Sequence, residues 1–184
     1  MDRINKESVV GAAFLLLLCA TLAGGVAGCG GGTRAGARTY DTLTTMSGLR
    51  YVEYEKGTGP EINKGDVIQV DYAGYLLNGM LFDTSIEDIA AKYDYRGVPL
   101  ASLPEGADKS RTFNRGGYPF EPLEFPIGVD KVIDGWDEGL TTNNVRVGTH
   151  RLLIIPPHLG YPNGQGSIPP NATLVFDVRV VGKK

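Results

Sequence analysis

The chain has 184 residues, 42% hydrophobic and 21% charged, with a formal net charge of −3. That suits a domain of ordinary globular composition, and an acidic chain without a basic stripe offers no reason to expect nucleic acid as a partner. With 26 Gly and 11 Pro the sequence is rich in turns, which favours short strands over long helices.

From Ser8 to Thr33 there is no charged residue, and the core SVVGAAFLLLLCATLAGGVAG is apolar or small. Residues 1–28 therefore read as a secretory signal peptide, although about 20 apolar residues would also suffice for an uncleaved membrane anchor. Val26-Ala27-Gly28-Cys29 resembles the bacterial lipobox of apolar, small, small, cysteine. The resemblance implies lipidation of Cys29 after cleavage, a membrane attachment through the acyl chains, and a location in the cell envelope outside the cytoplasm. Gly30 rather than Asp after Cys29 would favour the periplasmic face of an outer membrane where the cell has two membranes. Cys19 falls in the segment to be removed, so the mature domain has no thiol chemistry and no disulfide.

Residues 29–45, with the stretch GGGTRAGARTYDTLTT, read as a lipidated flexible tether that reaches on the order of 20–25 Å as a coil. A folded domain is expected over 46–184. GLRYVEYE (48–55) alternates Leu49, Tyr51 or Val52 with polar positions. DVIQVDYAGYLL (66–77) alternates with period two and places Ile68, Val70 and Tyr72 on one face. Asn78-Gly79 is a strong hairpin signal and leads into Met80–Phe82. Val132, Trp136 and Leu140, with Ile133 adjacent, form one apolar stripe of a short helix, with Asp134, Asp137 and Glu138 facing the other way. RVGTHRLLII (146–155) and TLVFDVRVV (173–181) read as two further strands, the latter with Leu174, Phe176, Val178 and Val180 on a shared face. A short helix laid across a twisted antiparallel sheet is an α+β architecture.

Residues 86–121 interrupt this rhythm directly after Phe82-Asp83. The first part, IEDIAAKYDY, suits a helix capped by Ser85, and the rest is punctuated by Gly and Pro with few apolar residues. Insertions of this length are often functional.

No nucleophile elbow, phosphate-binding loop or dinucleotide fingerprint is present. The two imidazoles, His150 and His158, lack a carboxylate at metal-ligand spacing, so neither a metal nor a cofactor is expected.

GDVIQVDYAGYLLNGMLFDTS (65–85), PLEFPIGVDKVIDGWDEGL (122–140) and IPPHLGYPNGQGSIPPNATLVFDV (155–178) together resemble the FKBP-type peptidyl-prolyl cis-trans isomerases. The resemblance implies a bent antiparallel β-sheet wrapping a short helix, with an apolar pocket between them. Carried over position by position, it implies a pocket of Tyr72, Phe82, Asp83, Phe125, Val132, Ile133, Trp136, Tyr161, Ile168 and Phe176, with Trp136 as its floor. By the same resemblance Phe82, Phe125, Trp136 and Phe176 enclose a prolyl ring, while the Ile133 backbone N–H and the Tyr161 hydroxyl each donate to a ligand carbonyl. Asp83 is expected to hold polar groups in place beside Tyr72, and Gly135 and Gly139 to keep the helix slim. Leu123 stands where the family commonly has an aromatic wall residue. The 161–169 loop is shorter than in compact eukaryotic members, with Ser167 in place of an apolar residue.

The function expected from this resemblance is isomerisation of Xaa–Pro bonds in unfolded or partly folded exported proteins, assisting their folding in the cell envelope. It would work by desolvation and twisting of the amide in an aromatic pocket, and macrolide inhibitors come into consideration as ligands of the same pocket. The alternative is a non-catalytic binding module or holdase chaperone on this fold, using the 86–121 insertion.

Overall fold

The computed structural model describes residues 39–184. The expected signal segment 1–28, Cys29 and most of the 29–45 tether lie outside the described residues. No helix among the described residues is long and apolar enough to cross a membrane.

The strands are β1 Thr42–Thr44, β2 Arg50–Glu55, β3 Val67–Leu76, β4 Leu81–Thr84, β5 Leu123–Pro126, β6 His150–Ile155 and β7 Leu174–Lys183. Among the described residues the α-helical segments are α1 Glu87–Ala90 and α2 Asp134–Gly139. All pairings are antiparallel, in the order β1-β2-β6-β7-β3-β4, and β5 joins β3 beside its Val67–Val70 end. Register shifts interrupt β2 at Glu53/Glu55 and β3 at Gln69/Val70 and Gly74/Tyr75, the irregularities by which a sheet bends.

The sheet starts earlier than the sequence suggests. Thr42 and Thr44, inside the expected tether, pair with Val52 and Arg50 of β2. Backbone pairing at an edge needs no apolar side chain, so this three-residue strand leaves little trace in hydrophobic patterning.

Alternation along β3 holds through Ile68, Val70 and Tyr72, and then both faces are buried from Tyr72 to Leu76. The insertion provides part of the second cover: the Tyr93 ring lies 5.9 Å from that of Tyr75, and the Leu81 N–H donates to the Gly97 carbonyl at 2.9 Å. The insertion is ordered, with bridges Tyr93↔Pro99 and Asp94↔Thr112 around a buried Asp94 carboxylate that accepts from the Arg96 and Val98 N–H groups. Its helix α1 is a single turn without a side-chain cap. Ser85, expected as that cap, instead accepts from the Tyr72 N–H at 2.9 Å and donates to Asp71 at 3.0 Å, which ties the start of the insertion to β3.

Helix α2 crosses β6, and its glycines set the distance. A Cβ on Gly135 would stand 2.5 Å from Ile155 Cγ2, and one on Gly139 2.8 Å from Leu153 Cδ2. The far end of the helix is closed by Arg151 of β6, fully buried, whose guanidinium donates to the carbonyls of Gly139 at 2.7 Å and Thr142 at 2.9 Å. Glu53 offsets that buried charge with two hydrogen bonds of 2.9 and 2.6 Å. Asp137 departs from the expected solvated face. It is buried, and its carboxylate accepts from the backbone N–H groups of Gly128 at 2.7 Å and Asp130 at 2.8 Å.

Candidate functional site

A cavity of about 420 Å³ opens between α2 and the concave face of the sheet. Trp136, only 3% exposed, is set in it from the first turn of α2, because the glycine on either side of it brings the helix against β6. Three rings meet the indole: Tyr72 with centroids 5.3 Å apart, Phe176 at 5.2 Å and Phe125 at 5.7 Å. Phe82 stands edge-on to Phe176 at 5.3 Å. Near-perpendicular pairs of this kind place positive ring edges on negative ring faces. Gly74 of β3 makes the arrangement fit, since a Cβ there would lie 2.6 Å from Phe82 and 2.7 Å from Phe176.

Tyr72, Phe82, Asp83, Val132, Ile133, Trp136, Tyr161, Ile168 and Phe176 all line this one cavity. Phe125 does not. In β5 it lies opposite Ile68, buried among core residues that include Trp136, and Leu123, two residues earlier and 37% exposed, takes the lining position. Lys131, Gln165 and Ser167 add polar groups to the rim.

The polar corner of the cavity is a closed network. The Tyr72 hydroxyl donates to Asp83 Oδ2 at 2.5 Å, and the Thr84 N–H donates to Asp83 Oδ1 at 2.8 Å. Arg115, from the insertion, donates through Nε to Asp83 Oδ1 at 2.9 Å and through Nη2 to the Tyr72 hydroxyl oxygen at 2.9 Å. Burial, then the hydrogen bond and charge of Asp83, raise the Tyr72 hydroxyl well above its ordinary range. Burial, then the Asp83 charge, also raise Tyr161. Both phenols therefore stay protonated donors at neutral pH. Arg115 carries no motif of its own; only its place in an insertion that returns to the pocket rim would have marked it.

Two donors are left over. The Ile133 N–H, just before α2, donates to no described residue, and the buried Trp136 Nε1 has no partner among the described residues. Trp136 Nε1 is fully buried and faces no ligand, whereas Ile133 lines the cavity, and an unpaired N–H there suits a ligand that brings a carbonyl. No side chain here is arranged as an activated nucleophile, because the one carboxylate is already engaged by a guanidinium, a phenol and a backbone N–H.

Residues 105–181 match the FKBP-type peptidyl-prolyl cis-trans isomerase family. The chain is 34% identical over 146 residues to FK506-binding protein 1A of Neurospora crassa, covering 78% of this chain and 94% of that protein. It is 37% identical over 147 residues to a probable FKBP-type peptidyl-prolyl cis-trans isomerase of Haemophilus influenzae, covering 79% of this chain. It is 35% identical over 149 residues to FkpA of Escherichia coli K12, covering 80% of this chain. The chain spans less than half the length of these two bacterial relatives, 46% and 42%. Among solved structures, that of AtFKBP13 superposes with a TM-score of 0.58 at 31% identity, covering 78% of this chain and 99% of that one. That of FkpA from Escherichia coli gives 0.56 at 33% identity, covering 78% and 51%. An antiparallel sheet around a short helix, a tryptophan-floored aromatic cavity and these likenesses together place the chain in the FKBP-type peptidyl-prolyl cis-trans isomerase family.

Proposed function

We propose that the chain catalyses cis-trans isomerisation of Xaa–Pro bonds in protein substrates by enclosing the prolyl ring in the Trp136 cavity. The observation that supports this most is the cavity itself: aromatic walls, the unpaired Ile133 N–H and no group poised for proton transfer. Rotation about an Xaa–Pro bond requires loss of amide resonance and takes tens to hundreds of seconds unaided. The twisted amide is less dipolar than the planar one, so an apolar, water-poor site disfavours the planar ground state more. Lowering the barrier by about 5 kcal/mol corresponds to between a thousand- and ten-thousand-fold in rate. Only contacts stronger in the twisted state contribute to that gain. Phe82, Trp136 and Phe176 hold the ring, and Phe125 packs against the indole. The Ile133 N–H and the Tyr161 hydroxyl receive the flanking carbonyls, and Asp83 with Arg115 keeps Tyr72 in place. Peptide isomerisation assays on the purified chain test this: acceleration is expected, and its absence from a folded sample would remove the reading.

The setting we propose is the cell envelope, with the chain lipidated at Cys29 and acting on exported proteins as they fold. The sequence Val26-Ala27-Gly28-Cys29 at the end of an uncharged apolar run supports this. Mass spectrometry of the mature N-terminus tests it. A diacylated Cys29 as first residue is expected, and an unmodified Cys29 within a chain that still begins at Met1 would overturn it.

A further inference from the structure

Of the residues that line the cavity, only Asp83 and Lys131 carry a charge. Asp83 is already committed. The Tyr72 hydroxyl, the Thr84 N–H and the Arg115 guanidinium all donate to it, and Arg115 offsets its charge. Lys131 is the opposite case. It is exposed, and among the described residues its ammonium makes no hydrogen bond or ion pair, although Asp130 and Asp134 are close in sequence. The other exposed lining residues, Leu123, Gln165, Gly166 and Ser167, are neutral. Asp83, Arg115 and Lys131 together leave one positive charge at the cavity of a chain whose net charge is −3. Beside apolar walls such a charge is screened less than on open surface, so its field extends into the site. Lys131 also stands two residues before Ile133, whose unpaired N–H receives a substrate carbonyl in the reading above. Two residues of chain span at most about 7 Å, and the flexible lysine stem extends the reach of the ammonium further.

We infer that Lys131 is a specificity-determining residue, selecting substrates that carry an Asp or Glu within two residues of the proline. This rests on the isomerase reading. The substrate carboxylate supplies the partner that the protein itself does not give this ammonium. The prolyl ring enters the aromatic cavity while the carboxylate stays at its solvated edge, so the pair forms without the desolvation cost of a buried ion pair. Its worth is that of an exposed ion pair, enough to rank substrates and too small to be a condition for catalysis. A Lys or Arg at the same substrate position is disfavoured by the like charge.

The test uses the full chain and peptides with an invariant Ala-Pro bond, which holds the uncatalysed barrier constant. Glu, Gln or Lys is placed in turn two residues before the proline, one after it or two after it. At the best position the wild type is expected to prefer Glu over Gln by about threefold in kcat/KM, mainly through KM, the scale of an exposed ion pair. Lys is expected to rank last. The preference should shrink toward one in about 1 M salt, where screening acts within a few ångströms. Lys131→Gln is expected to bring the Glu-to-Gln ratio near one, Lys131→Arg to keep it, and Lys131→Glu to turn the preference toward the Lys peptide, with folding of each variant verified by thermal unfolding. No preference for Glu at any position in the wild type, or an unchanged ratio in Lys131→Gln, would overturn the inference. The same ratio is read as relative affinity from the fluorescence of Trp136, the only tryptophan. A chain that prefers the Glu peptide in binding and accelerates none would count against the isomerase reading while upholding the role of Lys131.

Discussion

Arg115 reaches across 32 residues of sequence to donate to Asp83 at 2.9 Å, and the same guanidinium touches the Tyr72 hydroxyl. The long insertion thereby braces two of the residues that line the pocket. Arg115→Ala is expected to lower kcat/KM about tenfold in a folded protein, the scale of one charge-assisted hydrogen bond. Arg115→Lys should recover only part of it, because an ammonium cannot reproduce the planar fork that serves three acceptors, Asp83, the Tyr72 hydroxyl and the Pro119 carbonyl. Equal activity in all three proteins would show that Asp83 and Tyr72 hold their positions unaided.

Asp137 fixes the other side of the cavity through Gly128 and Asp130, whose backbones have φ of 74° and 58°. Both are left-handed, a conformation that a non-glycine residue such as Asp130 adopts only at a cost. Asp137→Asn replaces one acceptor oxygen by a donor that faces an N–H. A loss of about 1–3 kcal/mol in urea unfolding is expected, with reduced activity as Val132 and Ile133 lose their support. Unaltered stability would mean that the turn persists without the carboxylate.

Gly135 sets two effects against each other. Alanine in a helix is favoured over glycine by about 1 kcal/mol. Against this, its Cβ would stand 2.5 Å from Ile155 Cγ2, on a fully buried branched side chain with no room to retreat. Overpacking of that kind costs about 1–3 kcal/mol, so Gly135→Ala is expected to destabilise on balance, by thermal or urea unfolding. Stabilisation would indicate that α2 moves away from β6 easily.

The parts of this protein legible in the sequence are those carried by short contiguous patterns. Asn78-Gly79 gave the hairpin, and the period-two run through Ile68, Val70 and Tyr72 gave β3, while Phe82-Asp83 and Ile133–Trp136 carried the family resemblance. What escaped depends on partners distant in sequence. Arg115 looks like any solvated charge until the insertion folds back. Asp137 lies opposite the Trp136 stripe by helical period, yet the 128–130 turn covers it. Phe125 and Leu123 share a strand face, and only the depth of the cavity decides which of them lines it.

Alkaline pH provides a separate check. The Tyr72 hydroxyl, ordinarily at 10.0, is raised by burial and then by Asp83, and Tyr54 is pushed up to about 12 by burial and then by Asp177. The folded protein holds these protons more tightly than the unfolded chain. Their contribution to stability is therefore complete below about pH 10 and is lost as the pH rises from there toward the folded-state values. Urea midpoints are expected to be level from about pH 7 to 9 and to fall between about pH 10 and 12. Over the lower range kcat/KM should also be flat, since no proton is transferred; a bell-shaped profile near neutrality would contradict a mechanism without acid–base chemistry.

The most direct measurement is the rate of cis-to-trans conversion of a short Xaa-Pro peptide in the presence of the purified chain and of its Trp136→Leu variant, with folding of both verified by thermal unfolding. Leucine keeps the core position apolar while removing the floor of the cavity. The account predicts clear acceleration by the wild type and a loss of at least about tenfold in kcat/KM in the folded variant. No acceleration by a well-folded wild type, or equal acceleration by both proteins, would contradict it.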